Sequence, residues 1–316
     1  MTLASEERHF AEIMAITNMK TVSLVLGSGG ARGLAHIGVI HWLEENNYEI
    51  RSIVGCSIGA VIGGIYVAGK LDVYEQWVRS ITKVDIVTLL DLSWEKSGLV
   101  RGDKLINTLI KLVGEQLIED LPFAYTAVAT DIKGQKEIWI KSGSLFDAMR
   151  ASFAIPLLFT PFKYKGGDLV DGGVLNPVPI APTFGDETDI TIAVNLGGPA
   201  QNPEERSTLS AAPASPSSPL RERINRFINQ LQQSVTSRGS GDWGAYEIAM
   251  QAFEAMQSTI ARQKLAAYPP DIVIEIARNA CQTLEFDRAS EMIELGYRRA
   301  KECLSKAKKQ GWNDER

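Results

Sequence analysis

The sequence predicts an α/β fold in which a mostly parallel central sheet is flanked by helices. Two short apolar runs rich in Val, Leu and Ile, at residues 21–26 and 50–54, are each followed by glycines and then by a segment with helical spacing. This order of strand, loop, helix, strand, turn and helix is how a parallel sheet with right-handed crossovers begins. A chain of 316 residues is long enough for one large domain of this kind or for two small ones.

Further strands and helices continue the pattern. The apolar runs predict strands at 125–131, 136–140, 190–196 and 271–277, a strand that ends at 168–171, and helices at 34–46, 58–68, 71–79, 103–113, 144–153, 220–235, 243–267 and 286–308. A turn at Lys133 and Gly134 predicts an antiparallel hairpin beside the parallel strands. The late strand at 271–277 would have no partner in a helical tail, so we expect it to return to the main sheet.

These elements predict one domain with an insertion. Residues 1–20 form an N-terminal extension, 21–198 the core, 199–242 a flexible Pro/Ser-rich insertion with a helix, and 243–316 the helices and strand that complete the same domain. The uncharged stretch 52–69 is long enough to suggest a transmembrane helix, but four glycines interrupt it. We therefore predict a buried strand followed by a buried helix in this stretch.

Composition narrows the functional classes. The net charge of -5 argues against a general nucleic-acid binder, which would be basic, but a local patch is enough for contact with a membrane. Cys56, Cys281 and Cys303 are too few and too widely spaced for a disulfide framework or a zinc site. We therefore expect no metal and a reducing, cytoplasmic location, with peripheral membrane contact left open. Nothing in the sequence indicates an oligomeric state.

Ser57 is the candidate nucleophile. It is the central residue of a G-x-S-x-G pentapeptide that lies between a predicted strand and a predicted helix, which is the context such an elbow requires. Gly55 and Gly59 relieve crowding around the sharp turn, and the helix N-terminus favours negative charge on the serine oxygen or the substrate. The alternative is that Ser57 only caps the N-terminus of this helix.

A glycine-rich loop at residues 27–33 lies between the first strand and the first helix. A dinucleotide-binding loop occupies the same position, but here the third glycine is displaced by one residue and the second strand ends in the serine elbow where an acidic residue would hold the ribose. We therefore expect no cofactor. Backbone N–H groups of such a loop can stabilise an oxyanion by about 3 kcal/mol per donor. Arg32 would anchor the loop or attract an anionic substrate, and a plain tight turn remains the simpler alternative.

The base that would activate Ser57 is not an obvious histidine. His9 lies in the N-terminal extension, and His36 and His41 fall within the first helix, where we expect packing or hydrogen-bonding roles. Asp171 is the better candidate, because it follows a short strand and precedes two glycines, which places its carboxylate at the same edge of the sheet as the elbow. Its alternative role is that of a turn aspartate bonded to its own backbone. Asp168, three residues earlier, is a weaker candidate.

Four motifs in this order resemble those of the patatin-like phospholipases. They are the glycine loop at 29–33, the elbow at 55–59, the Ala-Ser-x-x-x-Pro block at 151–156 and the Asp-Gly-Gly block at 171–173. The resemblance implies a three-layer fold, a catalytic dyad, an oxyanion hole and hydrolysis of lipid acyl esters. The residues that it implies are Ser57 and Asp171 for catalysis, the amides of Gly29, Gly30 and Ala31 for the oxyanion hole, and Arg32, Gly33, Gly55, Gly59, Gly172 and Gly173 in support. Ser28 stands where many members have a third glycine.

The expected partner is a lipid or another acyl ester, and no nucleic acid. Several large apolar residues would line an acyl groove, contact a membrane or simply belong to the core: Trp77, Leu89, Leu90, Leu92, Trp94, Leu157, Leu158 and Phe159. A rival hypothesis is that the fold serves as a non-catalytic regulator or adaptor.

Overall fold

The structure is a computed structural model that describes residues 19–89, 100–201 and 244–309. The predicted N-terminal extension, the insertion with its helix at 220–235, and the apolar residues Leu90, Leu92 and Trp94 lie outside the described residues, apart from the ends of the two segments. The division of the chain into an extension, a core and an insertion therefore stays a prediction.

Strands and helices alternate along the described residues. The strands are β1 Lys20–Leu26, β2 Tyr48–Cys56, β3 Ala124–Asp131, β4 Lys136–Ile140, β5 Phe162–Tyr164, β6 Gly167–Asp171, β7 Ile190–Gly198 and β8 Ile272–Ala277. The α-helices are α1 Ala35–Glu45, α2 Ile58–Val67, α3 Leu71–Ser80, α4 Lys83–Leu89, α5 Asp103–Val113, α6 Leu145–Ser152, α7 Ala245–Ala267 and α8 Ala289–Lys309. A 3-10 turn, Gly30–Leu34, joins the glycine loop to α1.

All of these strands belong to one sheet with the order β5-β6-β3-β2-β1-β7-β8, and β4 pairs with β3. The strands from β3 through β2, β1 and β7 to β8 are parallel to their neighbours, whereas β4, β5 and β6 are antiparallel additions. The predicted hairpin of β3 and β4 is confirmed, and so is the return of the late strand, because β8 pairs with β7.

The two faces of the sheet are covered unequally. One face packs against α1, α2, α6 and α8 and forms the main apolar core, to which β1 contributes Val22, Leu24 and Leu26. On the other face, Val25 packs in a much smaller cluster with Val178, Ile180, Ala193 and Ala261 of α7. The layers are therefore helices, sheet and a thinner cover that includes α7, which gives the predicted α/β architecture.

The uncharged stretch 52–69 forms the end of β2 followed by the whole of α2, as predicted. Among the residues that the structure describes, no helix is both long and apolar enough to cross a bilayer. Helix α4 and strand β5 were not predicted. They span only seven and three residues, too few for either periodicity to show.

The register of β3 determines where the candidate site forms. Val128 of β3 pairs with Cys56 at the end of the parallel strand β2, and the next residue, Ala129, pairs with Asp171 at the end of the antiparallel strand β6. The carboxyl ends of β2 and β6 therefore meet at neighbouring positions of β3. Asp171 lies beside the elbow, as predicted, but it arrives there on a strand that runs antiparallel to β2.

Candidate active site

Ser57 occupies a strained turn between β2 and α2. Its backbone has φ 56° and ψ -124°, and positive φ is uncommon for a residue with a side chain. Its side chain makes no capping hydrogen bond to the helix, so the geometry does not favour the simple N-cap alternative. Gly59 lies against the backbone carbonyl of Leu26, and any side chain at this position would collide with that carbonyl. The strand–turn–helix context and the strain are those of a nucleophile elbow.

The Ala-Ser-x-x-x-Pro block supports both candidate catalytic residues. The N–H of Ser57 donates to the hydroxyl of Ser152 at 2.9 Å, and this hydroxyl donates to the carbonyl of Val128 at 2.7 Å. Two residues later, the carbonyl of Ala154 accepts from the N–H of Asp171 at 2.9 Å. The block thus fixes the backbone of Ser57 and of Asp171 from one side. The motif is visible in the sequence, but its role as a support for both backbones is visible only in the structure.

Asp171 is a buried carboxyl with one oxygen held and the other free. Its Oδ1 accepts from the N–H of Gly173 at 2.7 Å and lies 3.9 Å from the thiol of Cys56. Its Oδ2 is buried and has no hydrogen-bond partner among the described residues. The bond from Gly173 is the one expected of a turn aspartate, so that alternative describes Oδ1 correctly. The bond from Gly173 engages only Oδ1, so Oδ2 stays free to accept a proton.

The environment of Asp171 raises the pKa of its carboxyl towards neutral pH. Burial raises the pKa of Asp171 from 3.8 to about 7, against the opposite effects of the Ser57 hydroxyl, the Gly173 amide and the Cys56 thiol. The hydroxyl of Ser57 is thus close enough to influence the carboxyl, although the two groups do not form a hydrogen bond of standard geometry. Catalytic hydrogen bonds are often long in a free enzyme and shorten when the substrate binds. A base with a pKa near the working pH is well suited to general base catalysis.

Asp168 has a different environment. It lies three residues before Asp171 in β6, and its carboxylate pairs with the exposed Lys133 at 2.6 Å. This ion pair lowers the pKa of Asp168. A carboxylate already engaged by a lysine is a poor proton acceptor, so the geometry favours Asp171 over Asp168.

The glycine loop presents two free amides. The N–H groups of Gly27 and Ser28 donate to the carbonyls of Val194 and Pro177, and that of Ala31 donates to Thr283 at 2.9 Å. Between these anchors, the amides of Gly29 and Gly30 make no hydrogen bond to the described residues. Of the three amides predicted for an oxyanion hole, those of Gly29 and Gly30 are thus free among the described residues, and that of Ala31 is engaged by Thr283.

A segment after β8 supports this loop from behind. Gly30 has φ +57°, and a Cβ at this position would lie 2.5 Å from the carbonyl oxygen of Thr283. The buried guanidinium of Arg32 donates to the carbonyls of Arg278 and Cys281 at 3.0 and 3.2 Å. Arg32 is thus an anchor and does not face a substrate. No local signal in the sequence marks these C-terminal partners, which are more than two hundred residues away from the loop.

The remaining supporting glycines permit close packing at the same place. A side chain at Gly33 would collide with Ile58 of α2, and one at Gly172 would collide with the carbonyl of Val128. A Cβ at Gly55 would meet the backbone of Ala60 at 2.5 Å. At Gly173, the position of a Cβ lies within 3.0 Å of Asp171 Oδ1, Ser28 Oγ and the side-chain amide of Gln257 in α7.

The described histidines do not contribute a base. His36 is fully buried, and its Nε2 donates to the carbonyl of Gly27 at 2.9 Å, which makes it the hydrogen-bonding helix residue that we predicted. Burial lowers the pKa of His36 to about 4, so the ring is neutral at pH 7. His41 pairs with Glu75 at 2.8 Å, and His9 lies outside the described residues. His36 instead fixes the start of the glycine loop.

An apolar groove begins at Ser57 and Gly30. Its empty volume is about 790 Å³, a figure that includes the open space at its mouth. Of the apolar residues predicted to line a groove, Trp77, Leu89, Leu158 and Phe159 do so, whereas Leu157 is exposed. The other lining residues come chiefly from α2, α3, α5 and the C-terminal segment and include Val61, Tyr74, Val78, Leu105, Leu109, Phe153 and Leu284. The groove suits a hydrocarbon chain whose carbonyl lies between Ser57 and the two free amides.

Comparisons with known proteins point to one family. The sequence profile described as Patatin-like phospholipase matches residues 24–184. An uncharacterized NTE family protein of Mycobacterium tuberculosis is 38% identical, over 90% of this chain and 91% of that protein. Lysophospholipase NTE1 of Coccidioides immitis is 30% identical over 92% of this chain, which corresponds to 18% of that much longer protein. Among solved structures, VipD from Legionella pneumophila aligns over 91% of this chain and 67% of its own, with a TM-score of 0.44 and 18% identity.

Proposed function

We propose that this chain, which belongs to the patatin-like phospholipase family and is a lipid acyl hydrolase, works through a dyad of Ser57 and Asp171 and an acyl-enzyme intermediate. The observation that carries the proposal is the meeting of β2 and β6 on β3. It brings a strained serine next to a buried carboxyl with one free oxygen, at the head of an apolar groove.

The first half of the reaction forms the acyl-enzyme. Asp171 Oδ2 takes the hydroxyl proton of Ser57 as the serine oxygen attacks the ester carbonyl carbon. The carbonyl oxygen becomes an oxyanion, and the amides of Gly29 and Gly30 donate to it. When this tetrahedral intermediate collapses, the bond to the alcohol oxygen breaks. The leaving alcohol takes the proton from Asp171, and the acyl group stays on Ser57.

The second half releases the fatty acid. A water molecule gives a proton to Asp171 and attacks the acyl carbonyl, and the same two amides hold the second oxyanion. Collapse breaks the bond to the serine oxygen, which recovers the proton from Asp171. Asp171 is therefore ionised at the start of each half and protonated in the middle, and a pKa of about 7 makes both forms accessible near neutral pH.

We propose lysophospholipids as the substrate class. The relative from Coccidioides immitis bears the name of a lysophospholipase and matches 92% of this chain. Ser57 lies in the lining of a groove whose surface is almost wholly apolar, which suits the acyl chain of such a lipid. Its lining offers almost no polar groups, so the headgroup would lie outside it.

The test compares single substitutions on purified protein. Ser57→Ala and Asp171→Ala should each abolish release of fatty acid from a lysophospholipid and from a short-chain chromogenic ester. The matched control is Ser290→Ala, because this exposed serine lies near the start of α8 and takes no part in the candidate site. Circular dichroism and thermal unfolding should show that all variants are folded. Wild-type turnover in either Ser57→Ala or Asp171→Ala would refute the dyad.

A serine-reactive fluorophosphonate separates catalysis from an adaptor role. The wild-type protein should be labelled on Ser57, and Ser57→Ala should not be labelled. If the folded wild-type protein stays unlabelled under conditions that label a control lipase, the site is idle and the adaptor hypothesis gains support.

A further inference from the structure

Leu157 occupies an unusual turn at the edge of the acyl groove. The N–H of Leu158 donates to the carbonyl of Ile155 at 3.2 Å, which closes a β-turn with Pro156 and Leu157 as its central residues. Leu157 has φ +68°. Proline followed by a residue with positive φ is the pattern of a type II turn, in which glycine or asparagine is favoured at the second central position. A leucine there is strained.

The side chain of Leu157 is also exposed to water. Its exposed fraction is 48%, whereas Ile155 and Leu158 on either side of it line the groove. Leu284 is also exposed, by 38%, and it lines the groove itself. Leu157 thus adjoins residues that line the groove and Leu284 belongs to that lining, and both expose an apolar side chain.

Strain and exposure together favour a role for Leu157 in contact with another apolar phase. A glycine at this position would relieve the strain, and a polar residue would be better hydrated, so neither backbone nor solvent favours leucine. Strain that persists in a structure is often a feature of a functional region. The N–H of Val100 donates to the carbonyl of Leu158, and the carbonyl of Val100 accepts from the N–H of Thr160, so the segment that follows the turn is held by main-chain bonds.

We propose that Leu157, together with Leu284, inserts into the surface of a lipid aggregate and so places the mouth of the groove against the substrate. This inference rests on the proposed function, since it concerns how the lipid reaches Ser57. A lipid transferred directly from a membrane into the groove avoids exposing its acyl chain to water, a transfer that is unfavourable in proportion to the apolar area exposed.

The chemistry of the turn indicates apolar insertion as the mode of binding. Residues 151–162 contain no charged side chain. Attraction to anionic headgroups would require lysines or arginines at the surface and would be screened by salt. Binding through Leu157 should therefore occur on neutral phosphatidylcholine vesicles and should persist at high ionic strength.

The experiment measures two quantities for each variant: the fraction that sediments with phosphatidylcholine vesicles, and turnover of a monomeric short-chain ester against turnover of lysophospholipid embedded in such vesicles. The variants are Leu157→Asp and Leu157→Gly. The matched control is Leu117→Asp, because Leu117 has a similar exposed fraction of 46% but, unlike Leu157, is not next in sequence to a residue that lines the groove.

Both Leu157 variants should bind vesicles about tenfold less tightly than wild type, and the ratio of vesicle to monomeric-ester turnover should fall by a similar factor. Leu117→Asp should match wild type in both. Leu157→Gly should also unfold at the same or a higher temperature, because it relieves the positive φ, so its loss of binding cannot be ascribed to misfolding. Vesicle binding and vesicle turnover at wild-type levels in both Leu157 variants would overturn the proposal. If the wild-type protein itself does not hydrolyse the monomeric ester, that result would instead contradict the proposed function.

Discussion

Replacing Asp171 by asparagine should abolish acyl hydrolysis and, above neutral pH, stabilise the folded protein. An asparagine has nearly the same shape, and its Oδ1 can still accept from the N–H of Gly173. It cannot take a proton from Ser57. The substitution therefore removes the proposed base and a buried negative charge at the same time.

The size of the stability effect follows from the pKa of Asp171. Burial raises it from 3.8, the value expected in the unfolded chain, to about 7 in the folded protein. Each pKa unit corresponds to about 1.4 kcal/mol, so ionised Asp171 lowers the free energy of unfolding by about 4 kcal/mol once the pH exceeds 7. The new buried N–H group of asparagine costs about 1–3 kcal/mol, which leaves a net gain of about 1–3 kcal/mol at pH 8.5.

The pH dependence gives the sign. Because the folded-state pKa is the higher one, the folded protein binds more protons than the unfolded chain between pH 3.8 and 7, so wild-type stability falls through this window as pH rises. Asparagine does not titrate. The difference in unfolding free energy, variant minus wild type, should therefore increase by about 3 kcal/mol between pH 5 and pH 8.5.

Urea unfolding of both proteins at pH 5 and pH 8.5 measures this difference, with fatty-acid release measured in parallel. Asp168→Asn is the matched control. Lys133 lowers the pKa of Asp168, so loss of that carboxylate should not stabilise the protein at either pH. A variant-minus-wild-type difference for Asp171→Asn that is the same at pH 5 and pH 8.5 would refute the buried, raised-pKa carboxyl.

Three further predictions concern the same site. The rate kcat/KM should fall tenfold per pH unit below about pH 7, because only ionised Asp171 accepts the proton of Ser57; a pH-independent rate between pH 5 and 8 would contradict this. Gly30→Ala should lower kcat about 100-fold or more, because its Cβ would collide with the carbonyl of Thr283 and displace an oxyanion donor. Steady-state kinetics on the folded variant measures this, and a wild-type kcat would contradict the prediction. Ser152→Ala should lower the free energy of unfolding by about 1–3 kcal/mol, since it leaves the buried amide of Ser57 without its acceptor; unchanged urea unfolding would count against that bond.

Local patterns in the sequence were sufficient to predict most of the fold. The apolar runs that end in glycines placed β1 and β2, and the Lys133-Gly134 turn placed the hairpin of β3 and β4. The path of β6 could not be predicted, because a five-residue strand carries no signal about the direction in which it pairs. The sequence therefore predicted that Asp171 lies at the same edge of the sheet as Ser57, but it did not predict the register of β6 on β3 that brings the two residues together.

The parts of the site that sequence analysis missed depend on contacts between distant segments. The carbonyl of Thr283 accepts from the amide of Ala31, and this bond engages one of the three amides that were predicted for the oxyanion hole. The hydroxyl of Ser152 accepts a hydrogen bond from the backbone N–H of Ser57, and the sequence of the motif that contains Ser152 does not indicate this contact. Neither contact follows from spacing or periodicity, because each joins residues that are close only after the sheet has formed.

The most direct test of the Ser57–Asp171 account is the mass of the protein during turnover. Wild-type protein mixed with a slowly released acyl ester and quenched in acid within seconds should gain the mass of one acyl group, and peptide mapping should locate it on Ser57. The Ser57→Ala variant should gain no mass under the same conditions. An acyl group on another residue, or hydrolysis at the wild-type rate with no acyl-enzyme on Ser57 at any quench time, would contradict the account.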